Sequence, residues 1–431
     1  MLVFSQIDFS KKILDWDGFG FNYVETAQTV DYTKDPQDYG GFSILSEEKR
    51  REILELVFGH DGLKPHVLKM FLDPFHQTSD KLNGSGLGDI DHGNYDHETT
   101  TRWMRYFIRN GMALLREEGI TPQIVTALYG PPPFMTTQKI MRGRDLDPAY
   151  KMELAKYIVA WAEYLRENGI PVSYLSLHNE GEDYHRWPYD ASHGNIGTGH
   201  DYNMYWPPAL VAEMIPIVAD VIRARGISDL WPTNGETSSW NRFDSWGCAD
   251  AITNSSAAVR DLGLITSHGF NMGNVGDVLY LDFRSSGVDK VRALKPELHG
   301  WTTSTSWAEM DARFIYNVHE LIYSAKSNAV IPWAGVQRPT LWVGGDPNPG
   351  NAIQINEDGT YEIRDGYYYY KQLCPVGKAG MYVAQASCAH SQTCAFAFAG
   401  NGTGASDAFV LVNTSKAEEA DFRLNVAGKE D

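Results

Sequence analysis

Residues 172–183, VSYLSLHNEGED, decide how the rest of the chain is read. A short run of Val, Tyr and Leu reads as a buried strand, and it stops at Asn179-Glu180 in an acidic tail. Just before it, residues 148–168 place Tyr150, Leu154, Tyr157, Ile158, Trp161 and Leu165 at helical spacing, and Asn168-Gly169 supplies a stop signal. A helix that feeds an apolar strand with acidic residues at its far end is part of a βα repeat.

The pattern recurs along the chain. Strands are predicted near 18–23, 66–72, 123–128, 172–178, 229–234, 263–268, 298–303 and 329–334. Helical patterns fill 46–58, 99–118, 148–168, 207–225, 243–250, 286–295 and 308–326. Eight such units predict an α/β fold, a (β/α)8 TIM barrel over residues 17–370. An open doubly wound sheet is the alternative, but no glycine-rich phosphate turn follows an early strand. Residues 371–431 alternate apolar and polar positions between Gly, Asn and Ser turns. They predict a small side β-sandwich, completed by a strand within residues 1–16.

Bulk properties narrow the function. The 431 residues carry a formal charge of −18, which argues against nucleic acid and anionic membranes as partners. No apolar run is long enough to span a bilayer. The N-terminus lacks the basic head and cleavage site of a secretion signal, so the expected location is cytoplasmic, or secreted or periplasmic if a signal has been removed. Twelve Trp, 23 Tyr and 18 Phe suit a groove that stacks sugar rings as well as a core. Cys248, Cys374, Cys388 and Cys394 show no metal spacing, and His76, His97, His185 and His200 form no ligand set. The loop 88–98 is dense in oxygen ligands but lacks the register of a calcium loop, and it reads as solvated. No metal and no cofactor are predicted.

In a barrel the chemistry sits where strands end. Glu180 follows the fourth strand and faces the barrel mouth, where a carboxyl can protonate a glycosidic oxygen. The adjacent Asn179 can hold a substrate hydroxyl. Downstream, Trp187 and Tyr189 offer stacking platforms, with core packing an equal reading for Trp187.

With these residues in view, the chain resembles the clan A retaining glycoside hydrolases, and family 30 most. The segments DWDGFGFNYVETA (15–27), LYGPPPFM (128–135), NGETSSW (234–240), AVIPWA (329–334) and GYYYYKQLCPVGKAGMYVA (366–384) carry the likeness together with Asn179-Glu180. The resemblance implies action on a β-linked oligo- or polysaccharide with Glu180 as general acid/base. It places Tyr129, Asn179, Glu236, His268 and Trp333 around the substrate. Three positions depart from the family. Lys69 stands where an Arg usually lies beneath the nucleophile, and His268 takes an aromatic or His corner. In HGWTTSTSW (299–307), Trp301, Thr303, Ser306 and Trp307 fit the family's seventh-strand motif, but Ser304 fills the slot of the nucleophilic Glu.

Three readings of Ser304 stay open. It can be an engineered Glu-to-Ser replacement, of the kind that traps substrate or makes a synthase, with the motif otherwise intact. A different carboxylate can serve, either Glu236, making the reaction inverting, or Glu297, which the strand order puts at the bottom of the barrel. Or the chain is a carbohydrate-binding pseudoenzyme. A serine hydroxyl is un-ionised at neutral pH and attacks an anomeric carbon only with a base beside it.

Overall fold

The computed structural model describes residues 1–27, 38–182, 202–270, 273–275, 278–280, 283–341 and 350–427. β1 (Leu2–Asp15) leaves at once for the smaller of two main sheets. The larger sheet takes β2 (Gly18–Asn22), β3 (Val67–Leu72), β4 (Gln123–Leu128), β5 (Tyr174–Ser176), β6 (Trp231–Pro232) and β7 (Ile265–Ser267). A hairpin, β8 (Gly273–Val275) and β9 (Val278–Tyr280), follows, and then β10 (Gly300–Ser306) and β11 (Ala329–Trp333) complete the eight. Their order is β6-β5-β4-β3-β2-β11-β10-β7, all parallel. The two outermost strands approach each other, and the isolated parallel bridges Thr233–Leu264 and Thr237–Ser267 join them. The sheet therefore curls in the manner of a TIM barrel.

Helices alternate with these strands. α1 (Glu47–Phe58), α2 (Arg102–Glu117), α3 (Lys151–Glu167) and α4 (Pro208–Ala224) follow β2 to β5 in turn. α1 begins where the Ser46 side chain accepts the Lys49 amide, and α3 ends at Asn168 before Gly169, whose φ is 79°. The single helix expected over 243–250 is instead two, α5 (Trp240–Ser245) and α6 (Cys248–Thr253), because Gly247 adopts φ 84° between them. α7 (Ser256–Asp261), α8 (Ser286–Leu294) and α9 (Ala312–Tyr323) complete the set around the sheet. A three-stranded sheet, β12 (Val336–Gln337), β13 (Ile353–Ile355) and β14 (Tyr361–Ile363), leads into α10 (Asp365–Leu373).

Inward- and outward-facing residues do different work. Val67, Val125, Leu264, Trp301, Ala329 and Ile331 form a separate apolar cluster inside the curl, with Tyr174 against it. The helices and the outer faces of the strands share the large core. Further along the strands the buried residues turn polar, among them Lys69, Thr233, Thr266, Thr303 and Ser304. An apolar plug thus underlies a polar layer at the carboxyl ends.

The smaller sheet has the order β17-β16-β15-β1-β18, from β15 (Tyr382–Cys388), β16 (Thr393–Ala399), β17 (Ala408–Asn413) and β18 (Asp421–Ala427). β1 runs parallel to β18 and antiparallel to β15. Where the alternation predicts a two-layered sandwich, the described residues form one mixed sheet. Irregularities between Asp8 and Leu14 bend β1. Ile7 and Phe9 then pack on Ala397 and Ala399, and every residue of β16 is buried.

Tyr370 of α10 anchors that helix to the larger sheet. Its hydroxyl accepts the Gly20 amide at 3.0 Å and lies 2.9 Å from the Gly20 carbonyl, with the ring fully buried. Tyr370→Phe leaves a buried backbone group unpaired and is expected to lower unfolding free energy by about 1–3 kcal/mol in urea denaturation.

Candidate functional site

Three neighbouring strands place their last residues side by side. Beyond β5 and β6 the parallel ladder resumes for one step: the Glu236 amide donates to the His178 carbonyl at 2.8 Å, and the Glu180 amide to the Glu236 carbonyl at 2.7 Å. The next step joins β6 to β7, where the His268 amide donates to the Thr237 carbonyl at 2.7 Å. Glu180, Glu236 and His268 are thereby set in register by backbone bonds. Gly235 makes the turn into this step at φ 81°, and a Cβ there would lie 2.1 Å from the His178 ring. Glu180 itself sits at φ 42°, a conformation costing a non-glycine residue about 1–3 kcal/mol and characteristic of functional positions.

The side chains meet around His268. Its Nδ1 lies 2.8 Å from Glu180 Oε1 and its Nε2 lies 3.1 Å from Glu236 Oε2. A ring held between two carboxyl groups donates from both nitrogens in its protonated form, and these contacts favour that form. Burial and the Lys69 charge push the His268 pKa down, but the bonds to Glu180 and Glu236 outweigh them and raise it. Burial alone would raise the Glu236 carboxyl; the Lys69 ammonium and His268 overcome it and lower it to about 2. His178, also buried beside this cluster, is held neutral with its pKa lowered to about 4 by desolvation.

Lys69 supplies the second cation. It projects from the middle of β3, is completely buried, and reaches Glu236 Oε2 at 2.8 Å and Ser304 Oγ at 2.9 Å. Ser304 gets there through a bulge. β10 pairs Thr302 with Val330 and Thr305 with Pro332, so it contains one residue more than β11 over this stretch. The extra residue breaks the alternation, and position 304 turns to the same interior as Trp301. Around this cluster, Phe71 lies with its ring 4.9 Å from the Lys69 ammonium, stacked on Tyr129 at 5.0 Å and edge-on to Trp333 at 5.7 Å.

The structure thus brings Glu180, Glu236, His268 and Ser304 together, and Asn179 beside them pairs with Asn203 at 3.0 Å. Trp333, 7% exposed and joined to Ala334 by a cis peptide bond, lines the same region. Tyr129 is 1% exposed, in the wall behind Phe71. Trp187 lies outside the described residues. Glu297 is exposed just before β10, at the end of the strand away from the site. Two groups escape the sequence reading. Phe71 carries no polar signal. Glu182 accepts from the Ser238 amide at 2.8 Å and the Ser238 hydroxyl, with Arg242 at 3.4 Å, and an acidic tail does not reveal such pairing. The Lys69 pairing has a visible trace, a lone charge inside the apolar run HVLKMFL.

No family model and no curated protein sequence matches the chain. Solved structures do. An endo-β1,6-glucanase superposes with a TM-score of 0.68 at 15% identity, covering 99% of this chain and 90% of its own. A glycoside hydrolase family 30 subfamily 8 xylanase from Clostridium acetobutylicum gives 0.64 at 16%, covering 99% and 88%. SrfJ from Salmonella typhimurium gives 0.67 at 14%, covering 92% and 82%. At these identities the likeness is one of fold.

Removing the Glu236 charge leaves Lys69 buried beside a neutral amide. Glu236→Gln is expected to cost about 3–5 kcal/mol at neutral pH. A depressed carboxyl stabilises the folded state above its unfolded value, 4.5, and that contribution is lost as pH falls toward about 2. The gap between wild type and variant should narrow over that window in urea titrations at stepped pH.

Proposed function

We propose that the chain is a carbohydrate-active protein of the glycoside hydrolase type, whose cleft takes a β-linked oligo- or polysaccharide. In this reading residues 17–370 form a (β/α)8 barrel of the family 30 kind, and residues 1–16 and 371–431 its appended β domain. Glu180 is the general acid/base and position 304 is the nucleophile slot. One observation carries the reading: an unbroken run of hydrogen bonds leads from Glu180 through His268, Glu236 and Lys69 to Ser304. Residues 124 positions apart in the chain are thereby linked to a common polar centre. Asn179, Trp333 and Trp187 are the proposed sugar contacts, with Tyr129 behind the wall. The similar folds named a xylanase and an endo-β1,6-glucanase support a β-linked glycan as the ligand class.

Chemistry limits what the site does as it stands. Retaining cleavage needs a nucleophile that attacks the anomeric carbon while Glu180 protonates the departing oxygen. The Ser304 hydroxyl is un-ionised, and Lys69, charged against Glu236, is no base to deprotonate it. The retaining route is therefore stalled with Ser304 in this slot. A second reading has its own observation in its favour: an imidazole ring separates the Glu180 and Glu236 carboxylates instead of letting them touch. Inverting pairs stand roughly 6.5–9.5 Å apart, against about 5–5.5 Å for retaining ones.

Aryl β-glycosides distinguish these cases. A carboxylate placed at position 304, alone or together with Glu236→Gln, is expected to give hydrolysis that Glu180→Gln then removes. Hydrolysis by the chain with Ser304 that releases the inverted anomer, and that Glu236→Gln abolishes, would establish the inverting route instead. Binding of β-linked oligosaccharides without turnover in any variant would leave a carbohydrate-binding pseudoenzyme.

A further inference from the structure

Among the described residues, the carboxyl groups of Glu180 and Glu236 face two basic groups, His268 and Lys69. Ser304 adds a hydroxyl and no charge. His178, packed against the same cluster, is neutral, and Glu182 beyond it faces Ser238 and Arg242. The balance matters because Lys69, Glu236 and His268 are all buried, where an uncompensated charge costs several kcal/mol.

The geometry assigns the partners. One ammonium touches both the Glu236 carboxylate and the Ser304 hydroxyl, so these two groups, from β6 and β10, stand side by side within two hydrogen bonds. Glu236 uses one oxygen for everything: Oε2 receives both Lys69 and His268. Its other oxygen, Oε1, is buried with no hydrogen-bond partner among the described residues. A buried acceptor left in that state is unfavourable, and it is tolerated here with the carboxylate clamped between two cations.

We propose that Glu236 is the carboxylate to which Lys69 is matched, a positioning residue that holds His268 doubly protonated against Glu180, and that Ser304 is the matched occupant of the neighbouring slot. The cleft has room, electrostatically, for one carboxylate beside Lys69, and it comes from β6 and not from β10. A glutamate at position 304 added to this set is a third anion facing two cations. Two carboxylates sharing one ammonium repel each other, and one of them takes up a proton or the fold gives up stability. Removing the Glu236 charge at the same time restores the count. The activity part of this inference rests on the reading of position 304 as a nucleophile slot; the stability and titration parts do not.

The test compares wild type, Glu236→Gln, Ser304→Glu, the double variant Ser304→Glu/Glu236→Gln, and Ser304→Gln as a neutral control of equal bulk. Urea denaturation, the ring-nitrogen NMR titration of His268 and hydrolysis of aryl β-glycosides are measured for each. Each charge-changing single variant is expected to lose stability, and the double variant to recover most of it. Turnover in the double variant should exceed that of Ser304→Glu by roughly tenfold or more, the change in ionised fraction that one unit of pKa produces. The His268 midpoint should fall in Glu236→Gln and rise again in the double variant. Losses that simply add, or a Ser304→Glu protein as stable as wild type, would overturn the proposal. So would a His268 midpoint that Glu236→Gln leaves unmoved, and this measurement decides the matter if the position-304 variants fail to fold. Coupled stabilities and a shifted His268 with no turnover in any variant would sustain the charge assignment and remove the glycosidase reading.

Discussion

A lysine in the middle of a buried strand constrains everything near it. Lys69 is completely enclosed, and an ammonium so placed is stable only if anions and acceptors surround it. Glu236 meets that need from β6, and its own burial is tolerated for the same reason. Once Glu236 is fixed as an anion, His268 is drawn to it, and the second nitrogen of that ring turns to Glu180. The cleft is organised from its floor upward by one cation.

The backbone prepares those positions before any side chain interacts. Short continuations of the ladder beyond β5, β6 and β7 put Glu180, Glu236 and His268 in successive register. Gly235 permits the turn, and Glu180 accepts a left-handed conformation to aim its carboxyl at the histidine. On β10, the neighbour of β7, a bulge rotates Ser304 into the interior. Beneath them the cluster around Trp301 and Ile331 keeps water from the underside of the ion pairs. This is how a polar layer persists inside a parallel sheet: its apolar plug and its aromatic wall, Phe71 with Tyr129 and Trp333, limit solvent while backbone bonds hold the geometry.

Much of the architecture was legible in the sequence, for particular reasons. The helix over Tyr157, Ile158, Trp161 and Leu165, its stop at Asn168-Gly169 and the strand that follows are patterns local to about thirty residues, and propensity and periodicity act over that range. The position of Glu180 at a strand end follows from the same pattern, as does that of His268. The split between α5 and α6 was missed because a single glycine, Gly247, carried it. The single mixed sheet was read as a sandwich because the pairing of β1 depends on partners nearly four hundred residues away.

By itself, then, the sequence determined the alternation of strands and helices, the acidic charge and where along the chain each strand lies, since all of these are set by neighbours along the chain. Only the tertiary structure decided that Lys69 pairs with a glutamate 167 residues distant, that a bulge turns Ser304 toward it, and that Tyr129 stacks behind Phe71 in the aromatic wall. Pairing across a curled sheet depends on register and on the rotation of each strand. A one-residue shift in either reverses which side chains face inward, and no local pattern encodes it.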